Sequence, residues 1–493
     1  MAFSENGLTE LPSSIRVISL NCWGLKFISR YRHERLTEIG YQLANASPTP
    51  EIVGLQECWT QQDYTAIRDL TKHILPYGKF YWSGIFGGGL AILSKWPIEE
   101  SSMYRYPLNG RPAAFFRGDW YVGKGVASAR IRLGNGPKDV VEVFCTHLHA
   151  PYEREPDDSY ICHRTAQAWE IAKLMRHAAE RGHMVIGLGD FNMVPMSLAH
   201  QLIEAHSPVK DVWRIVKPDS ALGSAENEVE QARGRPLPSA IECLDEHGTT
   251  CDSKFNTWRW SEQLRKDLHS GKEVPDVNHD EPDVKAKRLD YVFFADNATH
   301  TGQVWDIQEL QVGMRMRHPT LKCSLSDHFS IETTLVRQAS QQSRRDATDF
   351  VRHLSIETYE LIQAMIAKYD IRERKQRKWR IAHFFASFSI SIGCLVAVWW
   401  SPRNFVAFLL MLLSTLGLTA GVIDGLMGFL FVGSELRALR EFKYEIDTAS
   451  QQAQARVRRS SSSSIHQNGG DLLTSEIASR DDIETESGIE RRK

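Results

Sequence analysis

The residues best suited to chemistry stand where apolar runs end. Met184, Val185, Ile186 and Leu188 have the length of a buried strand, which breaks at Gly189 and delivers Asp190 and Asn192. Two polar side chains two apart, with Phe191 between them, point to one side of an extended segment. Together they can hold an attacking water and a phosphoryl oxygen. A second run, residues 52–56, finishes on Glu57. An ionised carboxylate at the end of a buried strand needs a cation or donors to offset its desolvation, so Glu57 is a candidate metal ligand and Asn21 a candidate neighbour. Asp327 beside His328 at a strand start has the parts of an oriented general base, although such a pair by itself also reads as a surface turn. His147 and His149, at i and i+2, can bind a metal or donate to a phosphate, and Asp119 and Lys124 around Gly123 read in isolation as an exposed ion pair.

The elements that must position these groups are short strands. Alternation or continuous apolarity predicts strands near residues 15–22, 52–57, 90–94, 126–131, 140–149, 184–190, 288–294 and 329–336. On the strand over 140–149, His147 and His149 are expected on one face. Residues 163–180 carry Ala168, Ile171, Ala172, Met175, Ala178 and Ala179 at helical spacing, with Gly182 as a stop. Gly87 to Gly89 lack the Lys-Ser/Thr ending of a nucleotide loop. Residues 218–286 are rich in Pro, Gly, Ser and acids and read as a partly ordered surface excursion, but the stretch from Gly248 to Arg259 (GTTCDSKFNTWR) is too specific for filler.

The totals bound the class. At 493 residues the chain exceeds one ordinary domain. Residues 1–336 hold 37 Lys and Arg against 43 Asp and Glu, an acidic balance that argues against a domain built to grip nucleic acid. The eight cysteines form neither a zinc pattern nor a disulfide framework, which fits a reduced, cytosol-facing compartment. The first twenty residues do not read as a secretory signal.

Asn21, Gln56-Glu57, Thr146-His147, Gly189-Asp190-Phe191-Asn192, Arg288-Leu289-Asp290 and Ser326-Asp327-His328 stand in an order that resembles the endonuclease/exonuclease/phosphatase superfamily, of DNase-I-like fold, over about residues 12–336. Leu20-Asn-Cys-Trp-Gly, Asp119 to Lys124, His163-Arg-x-x-Gln167 and the Thr-Cys-Asp-Ser-x-x-Asn-Thr-Trp stretch are similar, within it, to neutral sphingomyelinases and inositol phosphosphingolipid phospholipases C. The resemblance implies an α+β fold, a four-layer sandwich of two packed mixed sheets with helices outside. It further implies Mg²⁺ on Glu57 with help from Asn21, and His328 as general base. Asp190 would position the water, Asn192 and His147 would donate to phosphoryl oxygens, and Asp290 would orient one of the histidines. Which carboxylate serves which histidine stays open, Asp327 included. Lys124 with Asp119 corresponds to a pair required for activity in that family.

Two apolar stretches follow. Residues 381–400 carry no formal charge and suffice for a hydrocarbon core of roughly 30 Å; residues 405–432 form a second span carrying Asp424. Gly417, Gly421 and Gly425 make a small-residue face for contact within the hairpin or between chains. Before them, residues 347–378 have the spacing of an amphipathic connector helix. Arg372, Arg374, Lys375, Arg377, Lys378 and Arg380 precede the first span, and Arg437, Arg440 and Lys443 follow the second. This asymmetry places the catalytic part and the C-terminus in the cytosol. The expected organisation is a catalytic domain over 1–336, a linker over 337–380, a transmembrane hairpin over 381–432 and a largely disordered tail over 433–493. The expected function is Mg²⁺-dependent hydrolysis of a sphingolipid phosphodiester to ceramide at an endoplasmic reticulum or mitochondrial membrane. Phosphatidylserine or cardiolipin would activate it, as the resemblance suggests. The rivals are a nuclease or inositol-polyphosphate phosphatase of the same superfamily, and a catalytically silent membrane scaffold.

Overall fold

A computed structural model describes residues 10–153, 157–338 and 353–484, with 460–484 given as helix backbone. Twelve strands make two six-stranded sheets. The first contains β1 (Ser14–Asn21), β2 (Ile52–Gln56), β3 (Tyr77–Tyr81), β4 (Leu90–Ser94), β11 (Val304–Gly313) and β12 (Ser330–Gln338), in the order β11-β12-β1-β2-β4-β3. The second contains β5 (Ile98–Arg105), β6 (Gly125–Arg132), β7 (Val140–His147), β8 (Met184–Asp190), β9 (Lys210–Asp211) and β10 (Asp290–Ala295), in the order β5-β6-β7-β8-β10-β9. β1 runs parallel to β2 and β7 parallel to β8, and the remaining pairs are antiparallel, so both sheets are mixed.

The central strands are buried on both faces, which is why β1, β2, β4, β7 and β8 read as nearly continuous apolar runs. Ile15, Val17 and Ile92 of one sheet meet Ala129, Val143, Ile186 and Val292 of the other in the central core. Helices Arg32–Ala44 and Gln61–Thr71 cover the first sheet through Leu36, Ile39, Leu43 and Ile67. Helix Ile161–Glu180 covers the second through Ala168, Ile171, Met175 and Ala178. Each fully buried Ile or Met in these seams contributes on the order of 1.5–3 kcal/mol. The result is the four-layer sandwich that the motifs imply.

Residues 218–286 are more built than their composition suggests. They carry helices Glu228–Gln231, Ala240–Asp245 and Glu262–His269. Ser239 and Glu242 close a capping box, and buried Asp283 is held by Arg259.

After the sandwich comes a long helical stalk. Helix Ile356–Ala397 starts on Ser355, whose side chain accepts from the Thr358 amide, and runs without a break through the basic stretch into the apolar one. The expected start at 347 lies outside the described residues. The helix is not a free connector: Tyr359, Ile362, Ile366 and Tyr369 pack on helix Ile161–Glu180, while Leu361 faces outward. Helix Asn404–Leu426 returns, passes through a π-helical turn at Met427–Phe431 and continues as Val432–Glu484. Leu439, Phe442, Ile446, Ala449 and Ala453 join the same core. The expected disordered tail is therefore helical at least to Glu484, because it extends a helix that tertiary packing has already nucleated. Between the two long helices, a Cβ on Gly421 would lie 2.5 Å from Ser387 and one on Gly425 2.8 Å from Phe384, whereas Gly417 faces open space. Gly421 and Gly425 thus serve contact inside the hairpin. Asp424 turns to the first helix, toward Arg380 and His383 (Nδ1 to Oδ2 2.7 Å).

Candidate active site

The ends of β1, β2, β7 and β8 and the start of β10 converge at one edge of the sandwich. Asn21, last in β1, donates from Nδ2 to Asp190 Oδ2 (3.0 Å) and Glu57 Oε1 (3.3 Å), tying the two sheets together at the site. Its Oδ1 accepts from the Trp23 amide at 2.9 Å, which fixes the amide orientation. Asp190 ends β8, and Oδ1 accepts from the Asn192 amide at 2.9 Å. A side chain on Gly189, at φ 146°, would place its Cβ 2.0 Å from the Thr146 carbonyl of β7, so only glycine lets the two strands deliver His147 and Asp190 side by side. Glu57 (φ 53°) and Asn192 (φ 47°) both hold left-handed backbone, a conformation that tends to gather at functional sites.

Register brings in the general-base candidate. Asp290 pairs across from Asp190, and its Oδ2 lies 2.7 Å from Nδ1 of His328. Asp290, rather than the adjacent Asp327, is therefore the carboxylate on His328. Asp327 accepts from Ser326 Oγ at 3.3 Å and acts electrostatically on Glu57. Burial would depress the His328 pKa, but Asp290, Cys251 and Asp190 outweigh it and hold the imidazole well above its usual range. Burial, then Asp327, pushes Glu57 up to about 7, and burial, then Asp290, pushes Asp190 up to about 6.

His147 Nε2 lies 3.6 Å from Asp190 Oδ2, and burial together with Lys124 depresses its pKa well below the usual value. A neutral imidazole there can donate to a phosphoryl oxygen. His149 does not share its face, because β7 ends at His147. His149 instead stacks on Tyr160 with ring centroids 4.3 Å apart, its Nδ1 3.8 Å from Asp119. Lys124 is buried and donates to the carbonyls of Leu148 (3.1 Å) and His147 (3.4 Å), while Asp119 accepts from the Tyr152 hydroxyl at 2.9 Å. Burial lowers the Lys124 pKa; Asp119, Glu57 and Asp190 act against it, which turns its charge toward the acidic site. The surface-pair reading of Asp119 and Lys124 does not hold, since both are buried. Asn192 Nδ2 donates to the Leu148 carbonyl at 3.1 Å.

The donor set fits a hard divalent cation. Glu57 Oε2 and Asp290 Oδ1 are buried without a hydrogen-bond partner, and the burial of negative charge that raises Glu57 and Asp190, reinforced by Asp327 and Asp290, is what a dication relieves. Asp190, Asp290 and His328 also bring ligand atoms within 4.8 Å of one another. Asp290 Oδ2 is engaged by His328 and Glu57 Oε1 accepts from Asn21 Nδ2, which leaves Glu57 Oε2 and Asp290 Oδ1 as the buried unpartnered carboxylate oxygens of the site.

Several supporting residues were not visible from motif reading. Buried Arg35 donates to the carbonyls of Cys22, Trp23 and Leu325, joining the loops that carry Asn21 and Asp327. Its signal was only a basic residue on an apolar helix face. Arg288, read as part of a site motif, pairs instead with buried Asp211 (Nη1 to Oδ1 2.9 Å). The stretch after Gly248 is the buttress of the base: Thr250 Oγ1 accepts from the amides of Leu289 and Asp290, and Asn256 donates to the Ser326 carbonyl at 2.9 Å.

A fold of two face-packed mixed sheets with a carboxylate, histidine and lysine cluster at one edge defines a class. Residues 18–328 match the Endonuclease/Exonuclease/phosphatase family. The chain belongs to that family, and it is a hydrolase of the phosphodiesterase type. It is similar to inositol phosphosphingolipids phospholipase C of Schizosaccharomyces pombe, 40% identical over 441 residues that cover 89% of this chain and 94% of that one. The protein of the same name from Saccharomyces cerevisiae is 34% identical, covering 88% of this chain and 89% of the other. Among solved structures, sphingomyelinase C from Streptomyces griseocarneus aligns at TM-score 0.40 and 17% identity, over 65% of this chain and 99% of that one.

Proposed function

We propose that this protein is a Mg²⁺-dependent, membrane-anchored phospholipase C that cleaves the phosphodiester of an inositol phosphosphingolipid or of sphingomyelin, yielding ceramide and a phosphorylated head group. The observation that carries the reading is the likeness at 40% identity to inositol phosphosphingolipids phospholipase C, which at 89% of this chain is long enough to take in both sandwich and hairpin. Glu57 would hold Mg²⁺ through its unpartnered Oε2, with help from Asn21, whose Nδ2 donates to Oε1 and orients the carboxylate. When bound there, the cation would supply positive charge to the phosphodiester oxygens and the developing alkoxide, and would counter the carboxylates that raise the His328 pKa. Asp290 fixes the ring of His328 so that its other nitrogen takes the proton of the attacking water. Asp190 positions that water; His147, Asn192 and Lys124 supply donors and positive charge to the phosphoryl oxygens.

The proposed organisation keeps the sandwich and its stalk on the cytosolic side, with 381–400 and 405–432 crossing an endoplasmic reticulum or mitochondrial membrane. Both helices are long and apolar enough to cross, by length and composition. Tethering concentrates the site at the surface that holds its substrate. Anionic phospholipid would draw the basic flank to the bilayer.

Purified protein with Mg²⁺, given labelled inositol phosphoceramide, sphingomyelin, a diacyl phospholipid and abasic DNA in parallel, is expected to release ceramide. Cleavage of the DNA alone, or of nothing, sinks the proposal.

A further inference from the structure

We infer that an exposed aromatic edge of the sandwich, made by Ile85, Phe86, Phe115 and Phe116, inserts into the surface of the bilayer beside the hairpin. This rests on the reading of 381–432 as membrane-spanning, and goes beyond it by giving the catalytic body its own lipid contact.

The apolar side chains are placed with care rather than scattered. Phe116 is 90% exposed and Ile85 71%, and Phe115 and Phe116 stack with centroids 3.9 Å apart in the turn before Asp119. The loop bearing Ile85 and Phe86 is fastened to the same segment: both amides donate to the Tyr121 carbonyl (2.8 and 3.3 Å), and Ser83 Oγ donates to the Gly123 carbonyl at 2.5 Å. Gly84 (φ 51°) and Gly123 (φ 65°) press backbone to backbone, where a Cβ on Gly123 would lie 2.7 Å from Gly84. A rigid, well-fastened loop that exposes Ile and Phe to water has no folding reason to do so.

Lipid is the occupant because of where this edge lies. Trp120, between Phe116 and Tyr121, packs edge-on against Phe431 at 4.9 Å. Phe431 closes the π-helical turn at the end of the second span, and in that turn the Gly428 carbonyl accepts from Arg377 Nε of the basic flank at 3.0 Å. The edge is thus continuous with the end of the hairpin, at the level where basic side chains meet head groups and where aromatic rings concentrate in membrane proteins. Arg111 and Arg117 of the same segment face inward, on Glu373 and Glu153 and over the Tyr160 ring, so the edge is apolar rather than basic. The segment leads directly to Asp119 and Lys124, so a bilayer contact here would also set the approach of substrate to the site.

The test uses the full-length protein reconstituted in phosphatidylcholine vesicles containing phosphatidylserine, with an environment-sensitive fluorophore on Phe116→Cys and, as control, on Leu237→Cys, a remote exposed position. Resistance to alkaline extraction first establishes whether the chain is integral. If it is, the label at 116 should be quenched by spin-labelled lipid and shielded from iodide, and the label at 237 the reverse. In detergent, the 116 label of a separate sample should be free of contact with a second copy. Phe115→Ser with Phe116→Ser should lower hydrolysis of substrate in vesicles by about tenfold, as expected for two lost apolar anchors, and change hydrolysis of detergent-dispersed substrate less than about twofold. An integral protein whose 116 label is as iodide-accessible as the 237 label overturns this inference alone. Extraction of the chain into the supernatant overturns the anchoring as well. Shielding of the 116 label from iodide without quenching by spin-labelled lipid assigns the edge to a protein contact instead.

Discussion

The site edge of the sandwich and the helical stalk hold their residues together in opposite ways. At the edge, the decisive contacts join residues far apart in sequence: Asn21 to Asp190, Ser326 to the Asn21 carbonyl, Asp290 to His328. Nearly every group there is polar and buried, and two carboxylates, Glu57 and Asp290, stand without a full set of partners. The stalk is mostly apolar, two long helices that pack through Ser387, Gly421 and Phe384 and dock on the sandwich through a stripe of Ile, Leu and aromatic side chains, with one buried polar cluster where Glu435 meets His163 and Tyr369. Among the described residues, left-handed backbone is confined to the sandwich, at Glu57 and Asn192 where chemistry is proposed among other turns, whereas buried carboxylates without a full set of partners occur in both regions. Changes at the edge should cost activity more than stability, and changes in the stalk the reverse.

The largest expected effect comes from the edge. His328→Ala should lower turnover by about 10² to 10⁴, the range of a positioned general base, with little change in the thermal midpoint. Asp290→Asn should fall in the same direction, since it leaves His328 without its orienting carboxylate. If His328→Ala turns over normally at saturating Mg²⁺, the edge is not the site and the contrast collapses.

Much of this edge was legible in the sequence, because the strands that end on Asn21, Glu57, His147 and Asp190 announce themselves by apolar runs broken by one polar residue. What stayed hidden depends on register and on backbone conformation. The pairing of Asp290 across from Asp190 decides which carboxylate meets His328, and no local pattern encodes a partner on another strand. The end of β7 at His147, which sends His149 into an aromatic stack, and the left-handed turn at Glu57 are likewise set by neighbours distant in sequence. For the stalk the case is different. An apolar stripe through Leu354, Leu361, Ile362, Met365 and Tyr369 was readable, but the face that packs also takes in Tyr359 and Ile366 and leaves Leu361 exposed, because the partner helix, Ile161–Glu180, lies nearly two hundred residues earlier.

The stalk side of the comparison predicts a stability effect next in size. Leu439→Ala removes a fully packed side chain and should cost about 2–5 kcal/mol, read as a lower urea midpoint, while activity per folded molecule on detergent-dispersed substrate stays near normal. An unchanged midpoint would mean that stalk and sandwich unfold separately. Arg288→Ala provides the matching control inside the sandwich: leaving buried Asp211 without its guanidinium, with His200 and the Trp213 amide as its remaining partners, should cost about 3 kcal/mol although the Arg288 side chain is turned to Asp211.

A pH effect sharpens the edge further. Glu57 is raised from 4.5 to about 7 and Asp190 from 3.8 to about 6 in the metal-free site. A carboxylate whose folded pKa lies above its unfolded one stabilises the fold at acid pH, and that stabilisation fades as pH rises through the folded pKa. The thermal midpoint of metal-free protein should therefore carry a component that falls between about pH 4.5 and 7, and Glu57→Gln should flatten it. Mg²⁺ binds the deprotonated carboxylates, so its stabilising shift should grow over the same interval and level off above it. A Mg²⁺ shift independent of pH would remove Glu57 from the cation site.

The smallest effect concerns the basic flank, where the two regions would meet the proposed bilayer. Six basic residues between Arg372 and Arg380 suggest a strong electrostatic hold, but several are already engaged. Arg374 pairs with Asp370, Arg380 with Asp424, and Arg377 donates to the Gly428 carbonyl, while Arg372 lies over the Tyr369 ring. Lys375 and Lys378 are exposed on the same stretch. At about 1 kcal/mol for each cation near an anionic surface, the lysine pair accounts for roughly 2 kcal/mol rather than the six that the sequence suggests. Lys375→Gln with Lys378→Gln should weaken activation by phosphatidylserine vesicles, most visibly at low salt, and leave activity on detergent-dispersed substrate unchanged. Lys124→Ala should differ by losing activity in both assays, because its ammonium points into the site and not at the membrane. Equal lipid activation of the lysine variant and the parent at low salt would assign the flank to topology alone and leave the apolar edge as the contact that holds the catalytic body to lipid.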